Sequence, residues 1–129
     1  MSGRREQQLQ LNGVPARWVA DYAAASGDDN PLHELDDGGN GVVQGMLVAA
    51  LLERYALEAY PNETLLEMTV RFTSPVLIDQ PLTLRLREGP SRDLDGQRIR
   101  KVRGLVESAG RLALIAECMF QLPEEGSTG

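Results

Sequence analysis

The sequence predicts an α+β domain in which an antiparallel sheet wraps around one long apolar helix. Three observations predict it. A nearly unbroken apolar run begins just after Gly45, the apolar pattern changes to period two after Leu65, and turn signals separate the alternating runs. At 129 residues the chain is read as one domain over 1–129, with a core of about residues 9–122. The terminal stretches "MSGRREQQ" and "PEEGSTG" are polar and are expected to fray.

The elements follow in order. In "PARWVADYAAA", Pro15 to Ala25, Trp18, Val19, Tyr22 and Ala23 share one helical face. Pro15 suits the first helical position and Gly27 the C-terminal cap, so a short amphipathic helix is expected there. It delivers the chain into "DDNPLH", where Pro31 blocks further helix because it has no N–H and restricts the residue before it. After "DDGGNG" comes "VVQGMLVAALLERYALEAY", rich in Leu and Ala, which predicts a helix from Gly45 to Tyr60, ended by Pro61 and Asn62. Its first half is apolar all round, so it is expected to be wrapped by other structure. Beyond Leu65, "EMTVRF", "LTLRLRE", "QRIRKVRGLVES" and "RLALIAECMFQL" read as three or four strands with one buried and one wet face. Turns are expected at "SPVLIDQP", "GPSRDLDGQ" and "SAGR"; a strand in "QQLQLNG" is signalled less clearly.

Composition narrows the classes of function. The chain is 42% hydrophobic and 25% charged, and it holds no apolar run long enough to cross a bilayer. The N-terminal stretch has charge but no apolar segment behind it, so a cytoplasmic location is expected. The net charge of −6 is uneven, since residues 85–103 carry seven basic against three acidic side chains. Alternating arginines first of all mark the wet face of strands; as a group they would also suit an anionic partner. Nucleic acid is disfavoured by the acidic total and by the lack of aromatics among these arginines. Cys118, the single cysteine, lies in the apolar run "ALIAECMF" and reads as a buried thiol.

The one histidine of the chain, His33, closes the stretch Ser26, Gly27, Asp28, Asp29, Asn30, Pro31, Leu32. A carboxylate and an imidazole five residues apart in a tight turn can converge on one water, a geometry that a straight helix does not favour. The acidic residues around them do not make a metal site. Pro31 interrupts a calcium-type loop, its twelfth position from Asp28 is Gly39, and one His and one Cys are too few for zinc.

The eight-residue run, Gln44-Gly45-Met46-Leu47 at the head of the long helix, and "VRFTSPVLIDQPLTL" stand in the order found in one family. The chain resembles the MaoC-like, (R)-specific enoyl-thioester hydratases and dehydratases over about residues 14–123. The resemblance implies a hotdog fold. It also implies hydration of trans-2-enoyl thioesters, or the reverse dehydration of (R)-3-hydroxyacyl thioesters, carried on coenzyme A or an acyl carrier protein, without metal or redox cofactor. Asp28 and His33 would be catalytic and hold the water between them. The backbone N–H of Gly45 would receive the enolate oxygen at the helix N-terminus, where unpaired amides and the helix dipole favour negative charge. Ser26, Asn30 and Gln44 would support the site, Asn30 by bracing the turn. Arg98, Arg100 and Arg103 would meet carrier phosphates. Two other readings remain open: a hotdog acyl thioesterase, and a non-catalytic acyl-binding or partner subunit. A homodimer or larger assembly is expected, because one sheet leaves its edge and a side of the helix uncovered.

The sequence also departs from the family's pattern. Only ten residues lie between His33 and Gln44, too few for the helical segment usual there, which would open or reshape the acyl pocket. Gln44 stands in the place of a histidine; its amide can hydrogen-bond but does not titrate near neutrality.

Overall fold

A computed structural model describes residues 5–26 and 41–124, Ser26 by its backbone only. The elements run β1 (Glu6–Leu11), α1 (Ala16–Ser26), α2 (Gly45–Ala59), β2 (Thr64–Phe72), β3 (Leu82–Leu94), β4 (Gln97–Ser108) and β5 (Arg111–Gln121). The five strands form one sheet in the order β1-β3-β4-β5-β2, antiparallel throughout, and α2 packs across it, the expected hotdog layout.

Alternation sets which side chains meet the helix. Leu82, Leu84 and Leu86 of β3, Val102 and Val106 of β4, and Leu114, Ala116, Cys118 and Phe120 of β5 are buried on the face turned to α2. The arginines at 85, 87 and 103 take the other face, where they meet Glu6, Glu107 and Glu117. Closest approach of the layers falls at Gly104 in mid β4: a Cβ there would lie 2.8 Å from Cδ2 of Leu52. Glycine lets the helix settle onto the sheet at this point.

Two expectations are corrected. The stretch "GPSRDLDGQ" is not all turn, because β3 continues to Leu94 and turns only at Asp95 and Gly96, with φ of 52° and 82°. That pair makes the two-residue hairpin for which Asp-Gly is suited. Gly89 and Pro90 instead occupy a bulge between Glu88 and Ser91, where a proline without N–H breaks no ladder bond. The long helix is also not enclosed on all sides. Val48, Ala49, Leu52 and Ala56 are buried, whereas Met46, Ala50, Glu53 and Leu57 form an exposed stripe, because a single five-stranded sheet covers one side of a helix. The weakly signalled N-terminal strand is present as β1, on the edge beside β3. Among the described residues no helix is long and apolar enough to cross a membrane.

Candidate active site

The start of α2 is the centre of the site. Gln44 occupies the N-cap with φ −58° and ψ 134°, but its side chain does not cap the helix. It turns away, and Nε2 donates to the carbonyl of Val19 in α1 at 2.9 Å. The first helical bonds are made by the N–H groups of Leu47 and Val48 to the Gln44 carbonyl. The N–H groups of Gly45 and Met46 meet no acceptor among the described residues, so two donors are left at the positive end of the helix dipole.

A cavity of about 330 Å³ opens beside them. Its walls are mostly apolar and include Val43, Val48, Phe72, Pro75, Val76 and Ala113, with Gly45 at the margin. Backbone bonds fix its floor: Val43 N–H donates to Val76 at 2.8 Å, and Thr73 N–H to Ala113 at 2.9 Å. The ring of Phe72 lies against Gly45, where a Cβ would come within 2.9 Å of its Cε1. Phe72 lies in the sequence stretch "VRFTSPVLIDQPLTL", and nothing local in that stretch shows that its ring reaches the first residue of α2.

Of the residues expected at the site, Gly45 and Gln44 sit at the α2 N-terminus as described, and Ser26 is the last residue of α1. Asp28, Asn30 and His33 lie outside the described residues. Among the described residues no group of His, Cys, Asp and Glu could hold a metal ion.

The three arginines expected to act together do not share one face. Arg103 falls on the outer face of β4 and pairs with Glu117 across to β5, Nη2 to Oε1 at 2.7 Å. Arg98 and Arg100 have the parity of Val102, which faces α2. Arg100 is engaged in a buried network at the far end of α2. Its Nη1 donates to Glu88 Oε1 at 2.8 Å, its Nε lies 3.4 Å from Glu63 Oε1, and its guanidinium stands 5.8 Å from the Tyr60 ring centre. The Tyr60 hydroxyl donates to the other Glu88 oxygen at 3.0 Å. Burial pushes the Tyr60 phenol well above its ordinary range, the Glu88 bond and charge add to this, and Arg100 opposes it. Burial likewise raises the Glu63 carboxyl, against the pull of Arg100.

The sequence matches the family of the MaoC like domain over residues 4–110. The chain belongs to this family. The MaoC-like chain is also similar in structure to an (R)-hydratase from A. caviae involved in PHA biosynthesis, with TM-score 0.80 and 24% identity over 95% of this chain and 98% of that one. It is similar to the R-hydratase PhaJ1 from Pseudomonas aeruginosa, with TM-score 0.73 and 24% identity over 97% and 84% of the two chains. A third likeness is to the HadBC (3R-hydroxyacyl-ACP dehydratase) complex from Mycobacterium tuberculosis, with TM-score 0.70 and 18% identity over 91% and 96%. No curated protein matches the sequence closely. At these identities the structural likenesses show the fold, and the family match places the chain among MaoC-like hydratases and dehydratases.

Proposed function

We propose that this MaoC-like protein hydrates trans-2-enoyl thioesters, or dehydrates (R)-3-hydroxyacyl thioesters, of coenzyme A or an acyl carrier protein. The observation that carries the reading is the uncapped start of α2. Gln44 spends its amide on Val19, and the Gly45 N–H meets no acceptor among the described residues, beside an apolar cavity in a chain that holds the Ser26-to-His33 motif. A thioester oxygen placed on Gly45 N–H would be stabilised as it gains enolate charge, an effect worth about 3–4 kcal/mol where such donors have been removed from other enzymes. Asp28 and His33 hold the attacking water and manage the proton that reaches or leaves C2. Asn30, Ser26 and Gln44 support them, with Ser26 the last residue of α1.

A second chain completes the fold. The exposed stripe of Met46, Ala50 and Leu57 on α2 and the outer strand β2, with Leu66 exposed, are the apolar surfaces one protomer leaves open. A two-fold pair covers both with one self-complementary surface. Related folds in the HadBC and ChsH1-ChsH2 structures are complexes, so the partner is a like chain or a relative. Arg98, Arg100 and Arg103 are the residues assigned to carrier phosphates, and of these Arg100 also pairs with Glu88 and Arg103 with Glu117.

The test follows loss of enoyl-thioester absorbance and release of thiol with short trans-2-enoyl-CoA and enoyl carrier-protein substrates. Absorbance should fall without thiol release, and Asp28→Asn and His33→Ala should each slow it by about a hundredfold or more. Thiol release would make the protein a thioesterase. An inert, folded wild type on both carriers would overturn the enzymatic reading.

A further inference from the structure

Phe72 lies in the stretch "VRFTSPVLIDQPLTL" and has no role among the site residues described above. It is the last residue of β2, on an edge strand, about half exposed, and on the same strand face as Val70, which packs on the core. Its ring covers the Gly45 Cα and forms one wall of the 330 Å³ cavity. The other walls have little room to move. Val43, Val48, Val76 and Ala113 are buried, and the backbone bonds from Val43 to Val76 and from Thr73 to Ala113 tie the floor together. Phe72 is thus the large wall residue whose side chain can change rotamer towards solvent without disturbing the core.

We propose that the cavity receives the hydrocarbon tail of the acyl group and that Phe72 is the residue that sets its length and bulk. The inference rests on the function proposed above, because it places the thioester oxygen on Gly45 N–H. From that anchor the acyl chain reaches the adjoining cavity within its first carbons. The lining chooses hydrocarbon over the amide-bearing arm of the carrier, since a buried amide without partners is disfavoured. Thr73 and Ser74 bring hydroxyls to the wall, and that of Thr73 is committed to the Leu112 carbonyl. At roughly 30 Å³ per methylene-sized group, taken from the volume share of a water molecule, 330 Å³ admits on the order of ten heavy atoms if fully used. The cavity is partly open, so a short to medium chain fits and a long one must displace the Phe72 ring. Each methylene that gains cover adds about fourfold in affinity, so a ring that truncates the cavity should produce a steep cutoff.

The experiment measures kcat/KM for trans-2-enoyl-CoA substrates of four to twelve carbons in wild type, Phe72→Ala, Phe72→Leu and the control Leu66→Ala. The last removes an exposed apolar side chain from the same strand away from the cavity. Dissociation constants for the matching saturated acyl-CoA series are measured by calorimetry, and oligomeric state by light scattering. Phe72→Ala is expected to raise the ratio of eight-carbon to four-carbon kcat/KM at least tenfold, Phe72→Leu less so, and Leu66→Ala not at all. An equal loss at every chain length, or dissociation of the assembly in Phe72→Leu and Phe72→Ala with unchanged selectivity, overturns the assignment while the hydratase reading stands. If no chain length is hydrated, the hydratase reading fails, and the calorimetric series decides the cavity. A chain-length shift in affinity upon Phe72→Ala supports it as an acyl site, and no shift overturns it.

Discussion

The side-chain amide of Gln44 donates to the backbone carbonyl of Val19 across the space between the two helices, while its own oxygen is buried and meets no hydrogen-bond donor among the described residues. The single bond ties α1, whose end leads into the Ser26-to-His33 stretch, to the first turn of α2. Gln44→Ala removes the bond and leaves a small cavity, so a loss of about 1–3 kcal/mol is expected in urea unfolding with an unchanged slope. Gln44→Glu should be worse at neutral pH, because a buried carboxylate cannot donate to Val19. It should recover relative to wild type in acid, where the protonated carboxyl can. A loss below half a kcal/mol in both variants would show that the helices are held together by apolar packing alone.

Gly104 and Leu52 mark the place where helix and sheet touch. A methyl group at 104 would sit 2.8 Å from Leu52 Cδ2, and both neighbours are fully packed, so Gly104→Ala is expected to cost about 1–3 kcal/mol by overpacking. Gly104→Val should cost more. Restoring space with Leu52→Ala in the double variant should recover part of the loss, giving a measurable coupling energy. Additive losses would mean that the strand, not the contact, dislikes the substitution.

The sheet was legible in the sequence because its alternation is strict. "LTLRLRE" fixes Leu82, Leu84 and Leu86 inward and Thr83, Arg85 and Arg87 outward, and the register confirms that parity. What sequence could not show is partnership across distance. Gly89-Pro90 looks like a turn unless one knows that β4 pairs past it, and the Asp95-Gly96 hairpin lay inside the same polar stretch. An Ala- and Leu-rich helix likewise does not say which side its sheet takes. At the site, Gly45 was legible because a glycine follows the last polar residue before the apolar run. The Phe72 ring over it was not, since 27 residues separate the two in the chain. Arg100 read as one of a series of wet arginines. Its acidic partners, Glu63 and Glu88, come from the loop after α2 and from β3, and no local pattern links the three.

That network makes its own predictions. Glu88 is buried and held by Arg100 and Tyr60, so Arg100→Met strands a carboxylate. The cost should be about 2–3 kcal/mol, less than the ~3–5 of a fully buried pair because the arginine is partly exposed. Glu63 should behave in the opposite sense. Its carboxyl is raised mainly by burial, so the folded state binds that proton more tightly than the unfolded chain does. The stability this group contributes is complete below the ordinary carboxylate range and is lost as pH rises through the raised value. Glu63→Gln supplies the neutral form at every pH. It should therefore unfold at a higher temperature than wild type at pH 7 and lose that advantage by about pH 4, near the unperturbed carboxylate value. A lower Tm at pH 7 would mean that the attraction of Arg100 outweighs desolvation.

Cys118 lies under α2 in mid β5, with almost no accessible surface. Burial pushes its thiol up to about 11, and the charges of Glu117 and Glu53 push in the same direction. At pH 8 roughly one thiol in a thousand would then be ionised, against about a quarter of a free cysteine with its pKa near 8.5. Since the thiolate is the nucleophile and the sulfur is also shielded by packing, Cys118 should not react with an aromatic disulfide reagent in the native state beyond the rate at which the sheet opens. In urea above the unfolding midpoint it should react at once, with one thiol per chain. Raising the reagent concentration separates the two causes. A native rate that stays constant reports opening of the fold, whereas one that climbs in proportion reports a thiol already accessible and would contradict its place in the core.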